Sequence, residues 1–470
     1  MEVDTKIINV KWNKHTFNLH FNKSLISDLK KELFALTNIL IERQKLVYKG
    51  KILSDTDSID SIPSNCNLTL LGNAETNIVQ IKQSDVIFME DLSEEDKVKL
   101  LKQRGEEILF GLANLGNTCY FNSLIQCFGR VDTLRHALIE LYHKGNQSIG
   151  NDYNKMFCFE LGRVYNALDN AADRVIPNKL VQVLRLLNPA FADQQGGSFK
   201  QQDADECMLM MLNIFKQALP NFSDEGFTNN LAEELFGINM DIKLTNVEDS
   251  TEVKTSVDNA FKLVCYIDSS TTELVAGLKN SLAENIDLYS NNLQRQTCFI
   301  KNQFISRLPP FLNVQFMRFF WKKADEDMFG SKDKKTKTLK SVMFSKIIDI
   351  YELCSPDVQE VLKLGRGIEA KLLKDDKNYK VDLSSVKKSD NMIPTGRYQL
   401  IAVCTHQGRS SEEGHYIGWT HRKDDKWTKY DDDVVSYVKT ADILELKGGG
   451  DWHMAYICIY QALEVPFMEI

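Results

Sequence analysis

The chain has 470 residues, too many for one ordinary core, so two or three folding units are expected. Hydrophobic residues make up 43% and charged residues 26%, with 9 prolines, which excludes a disordered or fibrous chain and fits a soluble globular one. The formal net charge of −8 argues against a sequence-independent grip on nucleic acid, gives no sign of membrane binding, and suits a basic partner.

The first residues, Met1-Glu-Val-Asp-Thr5, are acidic where a signal peptide has a basic flank. No later run approaches the roughly 20 apolar residues that span a bilayer, so a cytoplasmic or nuclear location is expected. Residues 6–12 alternate apolar and polar, and 15–21 set Phe17, Leu19 and Phe21 on one face; Asn13-Lys14 between them predicts a β-hairpin. From Ser27 the period lengthens, with Leu29, Leu33 and Leu36 on one helical stripe. Lys45–Tyr48 reads as a strand meeting a turn at Gly50, and Leu68–Leu71 as a last strand. Hairpin, helix, strand, strand is the ββαββ order of a β-grasp domain, placed at residues 1–76. Residues 77–105 are polar and without clear period, which predicts a linker with a short helix.

Gly111-Leu-Ala-Asn-Leu-Gly-Asn-Thr-Cys119 precedes a helical stripe of Leu124, Ile125 and Phe128. Gly116 and Asn117 favour a turn, so the helix starts near Cys119. A thiol there sits at the positive end of the helix dipole, which favours the nucleophilic thiolate. The neighbouring backbone N–H groups, with Asn114 as the natural amide donor, can hold the oxyanion formed when a thiolate attacks a carbonyl. A cysteine opening a core helix is usually structural, so the helix by itself does not establish catalysis.

Two stretches further on are charged and read as solvated loops or insertions: 322–340, dense in Lys and Asp around Phe329-Gly330, and 356–393, where charged helical-looking sequence alternates with Lys-Lys-Ser-Asp-Asn. Near the C-terminus, Gly414–Trp419 and Trp427–Tyr430 alternate like strands, with Asp424-Asp425 as the turn. A hairpin would bring His415 near the acidic run Asp431, Asp432 and Asp433, three candidates for one orienting carboxylate. The ten cysteines, at 66, 119, 127, 158, 207, 265, 298, 354, 404 and 458, form no Cys-x-x-Cys pair, and the eight histidines form no ligand-spaced cluster.

Four ordered segments carry a family resemblance: residues 111–123, Gln201–Glu206, Arg307–Phe319, and Gly414–Trp419 followed by Trp427 and Tyr430–Asp433. They resemble the cysteine, glutamine–aspartate, strand and histidine boxes of the ubiquitin-specific proteases, papain-like cysteine enzymes that hydrolyse bonds at the C-terminus of ubiquitin. The segment Gln44–Leu53 also resembles the middle strand and turn of ubiquitin itself, but the chain continues past Leu71-Gly72-Asn73, as a fixed docking module would. The resemblance implies an α+β protein: an N-terminal ubiquitin-like β-grasp domain, then a papain-like catalytic domain of thumb, palm and fingers at 106–466. It implies Cys119 as nucleophile, His415 as base, Asp431 as orienting carboxylate, Asn114 as oxyanion-hole amide and Asp432 as its support. Gln202, Asp203, Phe320, Tyr416 and Tyr456 become candidate contacts to the extended ubiquitin tail, with packing as the alternative for each. Arg409, Ser410, Ser411, Glu412 and Glu413, with the Lys-rich 322–340 stretch, become gating loops that obstruct the tail channel.

The combination of domains further resembles members of the family that dock on the regulatory particle of the 26S proteasome through the ubiquitin-like domain. That implies a monomer recycling ubiquitin from ubiquitinated proteins, restrained when free, with no cofactor and no metal in the fingers. A catalytically weak ubiquitin-binding regulator and a protease for another ubiquitin-like modifier are the competing readings.

Overall fold

The computed structural model describes residues 6–21, 25–37, 39–72, 109–145, 150–171, 173–219, 230–322, 334–375, 392–410 and 413–466. The chain divides into two compact units, 1–92 and 93–470, each taken here by itself. The expected linker, residues 77–105, lies outside the described residues.

In the first unit, β1 (Lys6–Trp12) and β2 (His15–Phe21) form the expected hairpin, closed by Asn13 at φ +51°. Helix α1 (Ile26–Thr37), β3 (Lys45–Tyr48), β4 (Lys51–Ile52) and β5 (Cys66–Leu71) complete a β-grasp sheet of order β2-β1-β5-β3-β4, with β1 and β5 parallel. Ile8, Val10, Leu46 and Leu68 pack against Leu29 and Leu33 of the helix. Leu36, expected on the same stripe, is 50% exposed, because the helix meets the sheet along the 29–33–37 row and buries Thr37 instead.

The second unit opens with a helical layer: α2 (Cys119–Phe128), α3 (Asp132–Lys144), α4 (Tyr153–Asn170) and α5 (Asn178–Leu187). A small hairpin, β6 (Gln194–Gln195) and β7 (Ser198–Phe199), leads into α6 (Ala204–Ala218) and α7 (Leu231–Phe236). Then come β8 (Ile238–Asn246), β9 (Val253–Ala260), β10 (Leu263–Tyr266), α8 (Leu274–Ser281), β11 (Ala283–Ser290), β12 (Arg295–Arg307) and β13 (Phe311–Met317). The chain continues through β14 (Phe319–Lys322), β15 (Lys334–Lys337), β16 (Ile347–Asp349), α9 (Pro356–Asp375) and β17 (Met392–Ser410). It ends with β18 (Glu413–His421), β19 (Lys426–Asp431), β20 (Val434–Lys439), α10 (Thr440–Leu444) and β21 (Met454–Pro466).

The main sheet runs β10-β13-β21-β17-β18-β19-β20, with β16 also on β17, and a second sheet runs β11-β12-β8-β9. Strand alternation puts Tyr416 and Ile457 on the face packed against the helices, and Ile417 and Cys458 on the other. Helices on one face, a central sheet and a separate four-stranded sheet are the expected thumb, palm and fingers. Every residue of α2 is buried, since it lies between the sheet and the other helices.

The expectation of solvated loops needs correction at both stretches, although the helical-looking part of the second is a helix. The ends of the 322–340 stretch pair as the β14–β15 hairpin, whose tip lies outside the described residues. The 356–393 stretch begins as α9, which buries Leu362 and Ile368, and Met392 already belongs to β17. Most of its charged residues cover the outer side of an amphipathic helix, while Glu369 is buried and pairs with Arg397 at 2.8 Å. All ten cysteines are free. No helix among the described residues is long and apolar enough to cross a membrane.

Candidate active site

Gly116 (φ +88°) and Asn117 (φ +53°) turn the chain into α2, so Cys119 is the first residue of that helix. The turn is built around the side-chain amide of Asn114. Its Oδ1 accepts from the backbone N–H of Gly116 at 3.0 Å and of Thr118 at 3.2 Å. Its Nδ2 donates to Asp432 Oδ2 at 2.8 Å, while Asn122 on α2 donates to Asp432 Oδ1 at 2.9 Å. One carboxylate thus fixes Asn114 and ties it to the helix. Asp432 reaches back because the chain turns there at φ +53°, and its carbonyl accepts from Leu112 N at 2.9 Å. Gly111 permits this approach: a Cβ there would lie 2.2 Å from the Asp432 carbonyl oxygen.

His415 on β18 donates from Nε2 to Asp431 Oδ1 at 2.6 Å. Strand pairing selects this carboxylate from the three candidates. Trp419 stands opposite Lys429, so His415, Ile417 and Trp419 share a face with Lys429 and Asp431. Asp432 lies past the strand end, at Asn114, and Asp433 pairs with Arg174 at 2.7 Å. With Nε2 engaged by Asp431, Nδ1 is the nitrogen that faces the thiol. The hydrogen bond with Cys119 is the largest cause holding the imidazole protonated up to about 9; burial opposes it and Asp431 adds to it. For Asp431, burial pushes the carboxyl up, but the hydrogen bonds from His415 and Lys429 outweigh it and leave the carboxyl below its ordinary range. Lys429 Nζ lies 3.1 Å from Asp431 Oδ2.

A thiol facing a readily charged imidazole, with an anchored amide at the start of the same helix, can carry out acyl transfer: thiolate attack, oxyanion stabilisation and protonation of a leaving amine. Among the described residues no cluster of His, Cys, Asp and Glu could hold a metal ion.

The residues expected to meet a peptide tail are arranged differently from a lined slot. Tyr416 and Tyr456 are buried, 1% and 2% exposed, and form core instead of open walls. The Tyr456 hydroxyl donates to Asp203 Oδ1 at 2.7 Å, and the same carboxylate caps α6 through Asp205 N at 2.9 Å. Gln202 donates to the Ala190 carbonyl at 2.9 Å, and Phe320 is half exposed. Cys119 itself is 2% exposed. The expected gating loop is the end of a hairpin: Arg409 and Ser410 close β17 and Glu413 opens β18, while Ser411 and Glu412 lie outside the described residues.

Several residues at the site escaped the sequence reading. Gln201, the residue before Gln202, is buried with Oε1 3.9 Å from Cys119 Sγ. Asn122 and Lys429 hold the two aspartates, and their positions in the cysteine and histidine boxes were the available signal. His453 lies edge-on to His415 at 5.9 Å between ring centres, and burial first, then the charge of His415, lowers its pKa to about 4.

Comparison with known proteins identifies the family. Residues 110–460 match the family described as "Ubiquitin carboxyl-terminal hydrolase", and residues 8–71 match "Ubiquitin family". Ubiquitin carboxyl-terminal hydrolase 6 of Arabidopsis thaliana is 33% identical over 97% of this chain and 98% of its own length. Ubiquitin carboxyl-terminal hydrolase 14 of Caenorhabditis elegans is 31% identical over 97% of this chain and 93% of its own. Ubiquitin carboxyl-terminal hydrolase 6 of Schizosaccharomyces pombe is 28% identical over 97% and 99%. The chain belongs to the ubiquitin carboxyl-terminal hydrolase family, as a cysteine-type deubiquitinase with an N-terminal ubiquitin-like domain.

Proposed function

We propose that this enzyme works at the proteasome, hydrolysing isopeptide and peptide bonds at the C-terminal glycine of ubiquitin, so that ubiquitin is recycled and chains on substrates are trimmed. Cys119 attacks the glycine carbonyl, Asn114 receives the oxyanion while Asp432 holds the amide, and the His415 imidazolium protonates the leaving lysine amine. Asp431 keeps the ring oriented, and water then hydrolyses the thioester with His415 as base. The ubiquitin-like domain docks on the regulatory particle of the 26S proteasome, and the enzyme acts as a monomer in cytoplasm and nucleus. It is restrained when free.

The observation that carries this reading is a set of acyl-transfer groups, Cys119, His415, Asp431 and Asn114, placed in one chain with a ubiquitin-like domain. The restraint is supported by the burial of Cys119, Tyr416 and Tyr456, and by Tyr456 occupying the Asp203 carboxylate that would meet an arginine of the tail. The test is turnover of ubiquitin carrying a fluorogenic C-terminal amide, with and without 26S proteasomes, for the full chain and for a chain lacking residues 1–76. The reading requires stimulation of the full chain that the truncated chain loses. Equal rates in all four reactions would overturn it.

A further inference from the structure

The turn that presents Cys119 is anchored on two sides, and only one of them belongs to Asn114 and Asp432. Gly116 and Asn117 are consecutive left-handed residues, at φ +88° and +53°, and both are exposed. Such a pair has no packing to keep it, so its shape depends on the bonds made to it. On the inner side Asn114 Oδ1 accepts from the backbone N–H of Gly116 and Thr118. On the outer side Asn117 Nδ2 donates to the carbonyl oxygen of Phe199 at 2.8 Å.

Phe199 ends the β6–β7 hairpin, which pairs Gln194 with Phe199 and Gln195 with Ser198 and turns at Gly196 (φ +62°) and Gly197 (φ +81°). Lys200 N donates to Asp193 O at 2.9 Å and closes its base. Two residues a side are too few to hold a hairpin in place, so the ring of Phe199 docks it. Arg185, in the last turn of α5, places Cζ 3.4 Å from the centre of that ring. The guanidinium keeps this place although its Nε is buried without a hydrogen-bond partner, so stacking on the ring offsets an orphaned donor. The ring edge faces the turn: a Cβ on Gly116 would meet Phe199 Cδ2 at 3.9 Å. The same stretch of chain also touches the first two residues of α2. Gln201 Oε1 lies 3.9 Å from Cys119 Sγ, and Phe191 stacks on Tyr120 at 5.8 Å between ring centres.

We propose that Asn117, Phe199 and Arg185 are positioning residues for the oxyanion, a brace that holds the turn so that the backbone N–H of Cys119 and the amide of Asn114 converge on one place. The N–H of a first helical residue has no acceptor within its own helix, so its direction is set by the turn before it. The proposal rests on the reading that Cys119 attacks the glycine carbonyl and Asn114 receives the oxyanion, and adds the residues that aim the second donor. The brace acts on the geometry of the donors and leaves the acidity of the thiol to His415.

The test uses the full-length protein and two independent variants, with Asn114→Ala as the reference. Asn117→Gly keeps the left-handed backbone and removes the bond to Phe199, and Arg185→Met keeps an apolar stem and removes the guanidinium from the ring. Each is measured by steady-state turnover of the fluorogenic ubiquitin amide and by the rate at which iodoacetamide alkylates Cys119, read by peptide mass. Loss of a hydrogen bond of this kind corresponds to a factor of roughly five, so kcat falls roughly fivefold in each variant while KM stays within about twofold. Alkylation passes through no oxyanion and keeps the wild-type rate. Both changes act through the same carbonyl, so the double variant is at most about twofold slower than either single one. A wild-type kcat in either variant while Asn114→Ala is slowed, or alkylation slowed by the same factor as kcat, overturns the brace and leaves the oxyanion reading standing. A wild-type kcat in Asn114→Ala removes that reading itself.

Discussion

Asp432 gives the sharpest quantitative test of how the site is built. Asn114 is an exposed side chain, and no packing holds its amide nitrogen; the bond of 2.8 Å from Nδ2 to Asp432 does. Asp432→Ala removes that bond and the 2.9 Å bond from Asn122, leaving the Asn114 amide nitrogen unanchored and the group held only through its Oδ1 bonds from Gly116 and Thr118. An oxyanion-hole donor contributes about 3 kcal/mol to the transition state, so kcat should fall roughly 10²-fold while KM stays within about twofold. Asn114→Ala removes the same donor directly and should cost a similar factor. Because Asp432 acts through Asn114, the double variant should be no slower than about threefold below either single one. Steady-state hydrolysis of a ubiquitin C-terminal amide measures all three. A kcat for Asp432→Ala within about threefold of wild type, or losses that multiply in the double variant to roughly 10⁴, would refute the reasoning.

The imidazolium that protonates the leaving amine is present below about 9 and lost as pH rises through that value, so kcat/KM should decline above about pH 9. Asp431→Asn removes one cause of the raised value and should move this alkaline limb to lower pH; an unmoved limb would exclude Asp431 as the partner. Because the folded-state value lies above the ordinary 6.5, His415 also stabilises the fold fully below 6.5 and loses that contribution as pH rises through about 9. Urea midpoints of wild type and His415→Ala should therefore converge on the alkaline side. Arg318 is fully buried and donates to the carbonyls of Ala455, Lys340 and Lys447 at 2.7, 3.0 and 3.2 Å. Arg318→Met orphans these acceptors and should destabilise the catalytic unit by about 3 kcal/mol in chemical denaturation. In Gly111→Ala the new Cβ meets backbone at 2.2 Å, so the contact between Leu112 and Asp432 must break, lowering both kcat and the melting temperature.

Local pattern carried the ubiquitin-like unit, because its strands alternate and its turns use Asn13 and Gly50 at positive φ. It also placed the start of α2 at Cys119, since Gly116 and Asn117 both adopt the left-handed turn their types favour. Pattern failed where burial depends on distant elements. The enclosure of α2 on all sides comes from packing against segments far along the chain. The choice among Asp431, Asp432 and Asp433 needed the register of β18 against β19, which spacing alone leaves open. Tyr416 and Tyr456 alternate as strand residues whether they line a channel or fill it; which of the two holds depends on Phe319 and His406, brought against them by other strands. The bond from Asn117 to Phe199 joins positions 82 residues apart and left no trace in either local pattern.

The central claim is that Cys119 is the nucleophile, activated by His415. Full-length protein is incubated with ubiquitin bearing an electrophilic C-terminus, and the adduct is mapped by peptide mass spectrometry in wild type, Cys119→Ala and His415→Ala. The account predicts one ubiquitin attached at Cys119 in the wild type, none in Cys119→Ala, and labelling slowed at least about 10²-fold in His415→Ala. An adduct on another of the ten cysteines, or undiminished labelling without His415, would contradict it.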